Sequence, residues 1–548
     1  MTAYFHAVAI DYDGTLTNGS QPADETLAAV RAVRDAGRMA LLVTGRILAE
    51  LRADFPDVDR HFDAIVAENG AVLSQPRDRD RPIVEPVARE LYDALAERGA
   101  PVRAGQVLLA TDVAFDRTVN DEIGRLGLEC QVERNRHALM VLPAGVTKGT
   151  GIVAALEELG LSPHNTVGIG DAENDHTLLS ACEVGVAVGN AVEALKRHAD
   201  VTLEPPNGAG VSAFLLGAFL AGLPGVQPRR RCLTLGTYDD GTLATIPTSR
   251  INIMIHGPSG SGKSYLAATI ARQLIGSRYS VCVLDLEGDY DMLGGLHGVA
   301  VLGAGRPLPP PDEVARTLVN GMASVVVDLS LHHEEGKRSY ARNLLAALDV
   351  TRRERGIPHW IVVDEAHVSM PCGIDAWWCS DPSQVGICAI TYRPELLCRG
   401  VAARTAFRIA LDADRNATLI AEGGSAPRRF MPFEGHIAHT RHAHKYTHGR
   451  LPEHRRFYFR NRQALTGSTA SNLPEFVHEI SRLPADVMRH HASHGDFSRW
   501  LGDLCRDPRL VAAIQDIEAA MSEASPDELA MLRARLGATV REQLAASI

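Results

Sequence analysis

Short apolar runs, each ending in a polar turn, recur along the first 225 residues. Ala7–Ile10, Met39–Val43, Ala64–Ala67, Thr166–Ile169 and Gly185–Val188 are of this kind. Continuous apolar runs of four or five residues bounded by turn signals read as strands buried on both faces. Asp24–Asp35 carries its apolar positions at helical spacing. The alternation predicts a doubly wound α/β unit with a parallel sheet, whose ligands sit at the carboxyl ends of the strands. Between residues 75 and 144 the pattern changes to short alternating strands with two helices, which predicts an inserted α+β cap.

A second alternation starts at Ile251. Ile251–Ile255, Val281–Leu284, Ser324–Val327, Trp360–Val363 and Ile387–Ile390 are its apolar strands. The stretch Leu223–Arg231 (LPGVQPRRR) reads as the linker between the two alternations. From Leu473 onward the sequence is rich in Ala, Leu, Glu and Arg and reads as amphipathic helices. The expected organisation is a core of residues 1–74 and 145–224, a cap of 75–144 and a linker of 225–231. A second α/β domain of 232–465 and a helical region of 466–548 follow.

Composition adds three constraints. The 548 residues have 45% hydrophobic and 22% charged positions, which suits several globular domains and excludes global disorder. Net charge is −11, split as −13 over residues 1–225 and +2 over the rest, so any nucleic-acid contact must come from a local basic patch. The nine cysteines include no CxxC pair, which predicts free thiols in a reducing compartment. The N-terminus lacks a basic leader. The most apolar stretch, Val211–Val226, is too short and too glycine-rich to span a bilayer, so a cytoplasmic protein without membrane contact is expected.

Four polar clusters follow strands in the first unit: DYDGT (Asp11–Thr15), VTGR (Val43–Arg46), TKG (Thr147–Gly149) and GDAEND (Gly170–Asp175). Asp11 and Asp13 leave one strand at i and i+2, so their carboxylates share a face. With Asp171 they form a hard, oxygen-rich pocket suited to Mg²⁺. A metal there masks the charge of a phosphomonoester so that a carboxylate can attack phosphorus. Thr44 and Lys148 supply a hydroxyl donor and a cation for the phosphoryl oxygens.

These four motifs, with GVAVGNA and the LK and AD pairs that follow, resemble the haloacid dehalogenase (HAD) superfamily, in particular its Cof-type phosphatases with a type IIB cap. The resemblance implies Asp11 as nucleophile forming an aspartyl-phosphate and Asp13 as general acid and base. It implies Thr44 and Lys148 as phosphate binders and Asp171 as metal ligand, with Asn174 and Asp175 supporting the site. The backbone carbonyl of Asp13 would also reach the metal. Substrate choice would lie with the cap, where Arg134, Arg136 and His137 are candidate anion contacts or solvated surface.

The strand at Ile251 runs into GPSGSGKS (Gly257–Ser264) and then a helix, the context of a phosphate-binding Walker A loop. Gly257, Gly260 and Gly262 let backbone N–H groups wrap phosphates at a helix N-terminus. Lys263 would reach the β- and γ-phosphates of ATP, and Ser264 would ligate Mg²⁺. Trp360–Val363 ends in Asp364 and Glu365, a Walker B pair in which the aspartate holds the metal through water and the glutamate polarises the attacking water. Thr391, at the end of the next strand, is the candidate γ-phosphate sensor.

With DLEGDY (Asp285–Tyr290) and DLS (Asp328–Ser330), these motifs resemble the HerA/FtsK-type branch of the P-loop ATPases, over residues 232–460. That implies an ASCE-type α/β fold, a hexameric ring acting on DNA, and an arginine supplied in trans, for which Arg393, Arg404 and Arg408 are candidates. Tyr392 stands where such motors carry glutamine. Between Arg404 and Arg462 there are 12 basic and five acidic residues and six histidines, His436, His439, His442, His444, His448 and His454. The run His454–Arg462 (HRRFYFRNR) interleaves cations with aromatics, as single-strand binders do. It reads equally as a strand with one face buried.

The expected function is a bifunctional hydrolase, a Mg²⁺-dependent phosphomonoesterase joined to an ATP-hydrolysing P-loop domain. Its substrate would be a small phosphorylated metabolite. The alternatives are a nucleic-acid-translocating ATPase with an end-trimming phosphatase, and a nucleotide-regulated phosphatase without motor activity.

Overall fold

The computed structural model describes residues 4–545 except 20, 77, 136–137, 322, 374–380, 382–383, 425, 434–450, 452–455, 462–463 and 506–507. By compactness the chain divides into two units. The first comprises Met1–Cys282, Pro310–Val325 and Arg342–Pro432, and the second Val283–Pro309, Val326–Ala341 and Phe433–Ile548.

In the first unit, the sheet of the N-terminal half has eight strands. Their order is Val201–Thr202, Val184–Ala187, Thr166–Gly170, Ala7–Asp11, Met39–Val43, Ala64–Ala67, Val72–Ser74 and Arg81–Pro82. The first six are parallel, and the last two turn back antiparallel. Ala7–Asp11 is buried along its whole length, as a central strand covered on both faces must be. Residue 11 pairs with Val43, so the first and second strands end level and their polar tips meet at one edge. The cap is a four-stranded antiparallel sheet ordered Arg103–Ala104, Leu109–Asp112, Ala138–Pro143 and Cys130–Asn135. It packs with the helices Arg89–Glu97 and Asp116–Leu126 around its own apolar cluster.

The second sheet has eleven strands, of which Leu243–Pro247, Cys232–Tyr238, Arg428–Pro432, Ala417–Ala421, Phe407–Leu411, Ile253–His256, Ile387–Thr391 and Trp360–Val363 lie, in that order, wholly in this unit. The last four of these eight are parallel, and the others are added antiparallel at one side. The stretch expected to be a plain linker is tied down. Arg230 donates to the Cys182 and Glu183 carbonyls and pairs with Asp200, and Arg231 donates to the carbonyls of Ser180 and Cys182.

The two sheets of the first unit meet through the amino ends of their strands. Glu183, which immediately precedes the strand Val184–Ala187, is fully buried. Its carboxylate receives His164 Nδ1 at 2.8 Å and the Tyr279 hydroxyl at 2.8 Å. The other ring nitrogen of His164 faces the Ser277 carbonyl at 2.9 Å, so both nitrogens face acceptors. His359 Nδ1 accepts from the Ser280 amide, which leaves Nε2 to donate to Asn165 Oδ1 at 3.0 Å. Burial, and then the neighbouring His164, push His359 well below its ordinary value, consistent with that neutral tautomer. Since parallel strands enter at this seam, both sets of carboxyl ends point away from it.

In the second unit, helices Leu473–Arg482, Ala485–His494, Asp496–Cys505, Pro508–Glu523 and Pro526–Ala545 share one core with the hairpin Phe457–Arg460/Leu465–Ala470. Phe457 and Phe459 point into that core and Tyr458 points out. The buried-face reading of this run therefore holds, and its two phenylalanines are unavailable for base stacking. The six histidines from His436 to His454 lie outside the described residues. Cys130, Cys182, Cys232, Cys282, Cys372 and Cys388 are free thiols, whereas Cys398 is disulfide-bonded, which corrects the expectation of free thiols throughout. Among the described residues no helix is long and apolar enough to cross a membrane.

Burial raises the Glu183 carboxyl, but the hydrogen bond and charge of His164 outweigh it and hold the group at about 2. Its stabilising contribution is therefore complete above the unfolded value near 4.5 and is lost as pH falls from there through 2. Glu183→Ala is expected to cost about 3–5 kcal/mol, read as an earlier urea midpoint of the full chain. Glu183→Gln should flatten the wild-type loss of stability in that acid window.

Candidate active sites

At the carboxyl edge of the first sheet, Asp11, Asp171 and Asp175 bring one carboxylate oxygen each to within 4.8 Å of one another, all buried. Lys148 opens the helix Lys148–Glu158, whose start is fixed by a capping box between Thr147 and Thr150. That placement sends its ammonium between two of the carboxylates, 2.6 Å from Asp11 Oδ1 and 2.6 Å from Asp175 Oδ1. Three buried carboxylates thus share one cation. Burial, then Asp175 and Asp171, push Asp11 well above the usual carboxylate range, and Lys148 lowers it only in part. The two carboxylates hold Lys148 in its charged form against the cost of burial. Surplus negative charge on hard oxygen donors is what a divalent cation relieves, so the residues fit Mg²⁺.

The loops are shaped around this cluster. Gly14 has φ +91°, and a Cβ there would stand 2.3 Å from Asp171 Oδ2. The Thr15 hydroxyl donates to Asp171 Oδ1 at 3.1 Å. Asp175 Oδ2 accepts the amides of Asp171 and Ala172, so Asp175 holds both its own loop and Lys148. Thr44 is fully buried, and its hydroxyl accepts from the Arg46 amide. Asn174 lines the same cavity as Asp11, Asp13 and Lys148, and its amide donates to Asn69 Oδ1 at 3.4 Å.

Asp13 turns away from the buried cluster. Its carboxylate takes both arms of Arg46, at 2.8 and 2.7 Å, and Arg46 also reaches Asp54. A cavity of about 330 Å³ opens here, bounded by Asp11, Asp13, Arg46 and Lys148 on the core and by Arg103 and Met140 on the cap. Arg46 was visible only as the last letter of VTGR. Glu68 and Asn69, which reach from the core to the cap, left no mark in motif spacing. Of the proposed cap contacts, Arg134 is exposed and paired with Asp116, while Arg136 and His137 lie outside the described residues.

The second site sits at the carboxyl edge of the other sheet. Gly257, Gly260 and Gly262 all have positive φ, and a Cβ at Gly257 would stand 2.4 Å from the Leu411 carbonyl. Lys263 begins the helix Lys263–Gly276 and folds back onto the Pro258 carbonyl at 2.8 Å, with Ser264 next in the first turn. Asp364 is buried, and Glu365 follows it in a left-handed backbone conformation, φ 44°. His367 Nδ1 lies 3.0 Å from the Thr391 hydroxyl and 3.3 Å from Glu365 Oε2, so one imidazole links the candidate sensor to the candidate water-polarising carboxylate. Tyr392 stacks edge-on against that ring at 4.9 Å. Arg393 lies over the Tyr392 ring, and Arg408 donates to the Ala402 carbonyl. In the second unit, Asp285 accepts the amides of Glu287, Gly288, Asp289 and Tyr290 and so organises its own loop.

Residues 8–116 and 114–215 match the haloacid dehalogenase-like hydrolase family, and residues 252–346 match the central domain of helicase HerA. The phosphoglycolate phosphatase of Methanopyrus kandleri is 31% identical over 224 residues, covering 38% of this chain and 94% of that protein. That of Methanothermobacter thermautotrophicus is 30% identical over 212 residues, covering 38% and 95%. Among solved structures, a haloacid dehalogenase-like hydrolase from B. subtilis matches at 20% identity and a TM-score of 0.34, over 39% of this chain and 99% of that one. A sugar phosphatase of HAD subclass IIB matches at 20% identity and a TM-score of 0.33, over 39% and 99%. Through its first 215 residues the chain belongs to the haloacid dehalogenase-like hydrolases, and it joins to that phosphatase a P-loop ATPase bearing the HerA central domain.

Proposed function

We propose that the first site hydrolyses small phosphomonoesters through an aspartyl-phosphate on Asp11 and that the second binds and hydrolyses ATP. The observation that carries the first reading is the buried set of Asp11, Asp171 and Asp175 around Lys148 at the floor of a cavity of about 330 Å³. Mg²⁺ would be held by Asp11, Asp171 and the Asp13 carbonyl, and when bound it supplies the positive charge that lets a carboxylate approach a phosphate dianion. Asp11 attacks phosphorus. Asp13, oriented by Arg46, donates a proton to the leaving alkoxide and then takes one from the water that cleaves the acyl phosphate. Lys148 and Thr44 hold the phosphoryl oxygens. The cavity suits a compact substrate such as the phosphoglycolate for which the archaeal relatives are named.

At the second site Lys263 and the glycine loop would take the phosphates, Ser264 and Asp364 would hold Mg²⁺, and Glu365 would orient the attacking water. The seam through the amino ends of both sheets favours two independent activities over direct hand-over of an intermediate, since the two sites lie at opposite ends of their common body. Ring assembly and action on DNA, which the HerA resemblance implies, belong to this second site.

Asp11→Asn is expected to lower phosphate release from phosphoglycolate at least about 10³-fold, and chelation to abolish it until Mg²⁺ is returned. Full turnover by Asp11→Asn would overturn the nucleophile assignment. Lys263→Ala should abolish ATP hydrolysis while phosphate-ester cleavage persists. Stimulation of the ATPase by DNA, measured on the wild type, separates a motor from a nucleotide-binding regulator.

A further inference from the structure

The segment Glu68-Asn69-Gly70 is a strained turn of the first unit. Three consecutive residues have positive φ, 53°, 56° and 104°, and two of them carry side chains. Such conformations cost of order 1–3 kcal/mol each and persist only where the surroundings enforce them. The reason for Gly70 is steric, since a Cβ there would stand 2.1 Å from the Thr147 carbonyl beside Lys148. The strained turn is bonded to the substrate-site loops on the core side, with Glu68 N donating to the Arg46 carbonyl and Asn69 N to the Thr44 carbonyl.

From this turn the Glu68 side chain crosses to the cap. It is fully buried, and its carboxylate accepts the amides of Gln106 at 2.9 Å, Val107 at 2.8 Å and Leu108 at 3.1 Å. The fit is close, because a Cβ on Gly105 would stand 2.4 Å from Glu68 Oε2. Beside it Asn69 donates to Glu133 of the cap at 2.6 Å. The clasped loop joins the strand Arg103–Ala104 to the strand Leu109–Asp112, and Arg103 and Ala110 line the substrate cavity.

Arg103 is the cation of that cavity with the most exchangeable partner. Arg46 is committed to Asp13 and Asp54, and Lys148 to Asp11 and Asp175. Among the described residues Arg103 pairs with Glu50, in an exposed pair that contributes little stability. A carboxylate on the substrate would take the place of the Glu50 carboxylate, gaining a charge-assisted fork without breaking a buried contact.

Resting on the phosphomonoesterase reading, we propose that Glu68 is a positioning residue that clasps the cap loop, and that it thereby sets Arg103 to receive a second anionic group, a carboxylate, of the substrate. The test compares phosphoglycolate with ethyl phosphate, which differ in that carboxylate, on the full chain. In the wild type kcat/KM should favour phosphoglycolate. Glu68→Ala and Arg103→Ala should each reduce that preference about 10–100-fold, chiefly through KM for phosphoglycolate, with Arg103→Lys restoring part of it. Gly105→Ala, which attacks the clasp from the cap side, should give the same signature and serves if Glu68→Ala does not fold. A preference left intact by Gly105→Ala and by any folded Glu68→Ala, or an equal loss on both substrates, would overturn the role of Glu68. A preference that survives Arg103→Ala would overturn the anion subsite. No phosphate release by the wild type from either ester would instead sink the phosphatase reading itself.

Discussion

Everything at the front site depends on one ammonium between carboxylates. Lys148 is buried and bonded to Asp11 and Asp175 at equal distance, while Asp171 adds a third negative charge nearby. Removing charges from water costs several kcal/mol each, and one lysine cannot balance three acids. The fold therefore holds a standing surplus of negative charge that a divalent cation would relieve. The same surplus explains the architecture around it. A capping box places Lys148, Asp175 binds the loop amides as well as the lysine, and Gly14 leaves room for Asp171.

Much of this was legible in the chain because the signals are local. Apolar runs of four or five residues announced the parallel strands, and register then obliged the tips of neighbouring strands to meet, as at Asp11 and Val43. The phosphate loop at Gly257–Ser264 announced itself through glycines whose positive φ the geometry requires. What was hidden depends on long-range pairing. Arg46 reaches Asp13 across 33 positions, Glu68 reaches Leu108 across 40, and His359 meets Asn165 across 194. No periodicity encodes such partners. The segment Leu223–Arg231 misled for a related reason, since its prolines and arginines spell a linker, while Arg230 and Arg231 are spent on the carbonyls of Ser180 and Cys182.

The seam at Glu183 sets what kind of two-part enzyme this can be. A flexible tether would let either half move and hand over a ligand. Here a buried carboxylate, a phenol and two imidazoles are hydrogen-bonded across the two sheets, with Asn165 and the Ser277 carbonyl also taking part. Separating the halves would expose an uncompensated set of polar groups, each costly to leave unpaired. The front and second sites are thus held at opposite ends of a single body, and communication between them has to travel through packed strands.

The cap is held to the phosphatase in two ways. It has its own small core, its residues Val107, Leu108, Ala110, Met140 and Leu142 also pack into the apolar cluster of the phosphatase, and the Glu68 carboxylate adds three hydrogen bonds. A carboxylate is well suited to the purpose, because it binds backbone amides whatever side chains the loop carries. Cap residues facing the substrate can then diversify while the clasp is kept. Strain at Glu68 and Asn69 is the cost of aiming that carboxylate out of the core, and it falls on the turn that also supports Thr44 and Lys148. Specificity and catalysis are thereby built on the same three residues, which ties the position of the cap to the geometry of the phosphate site.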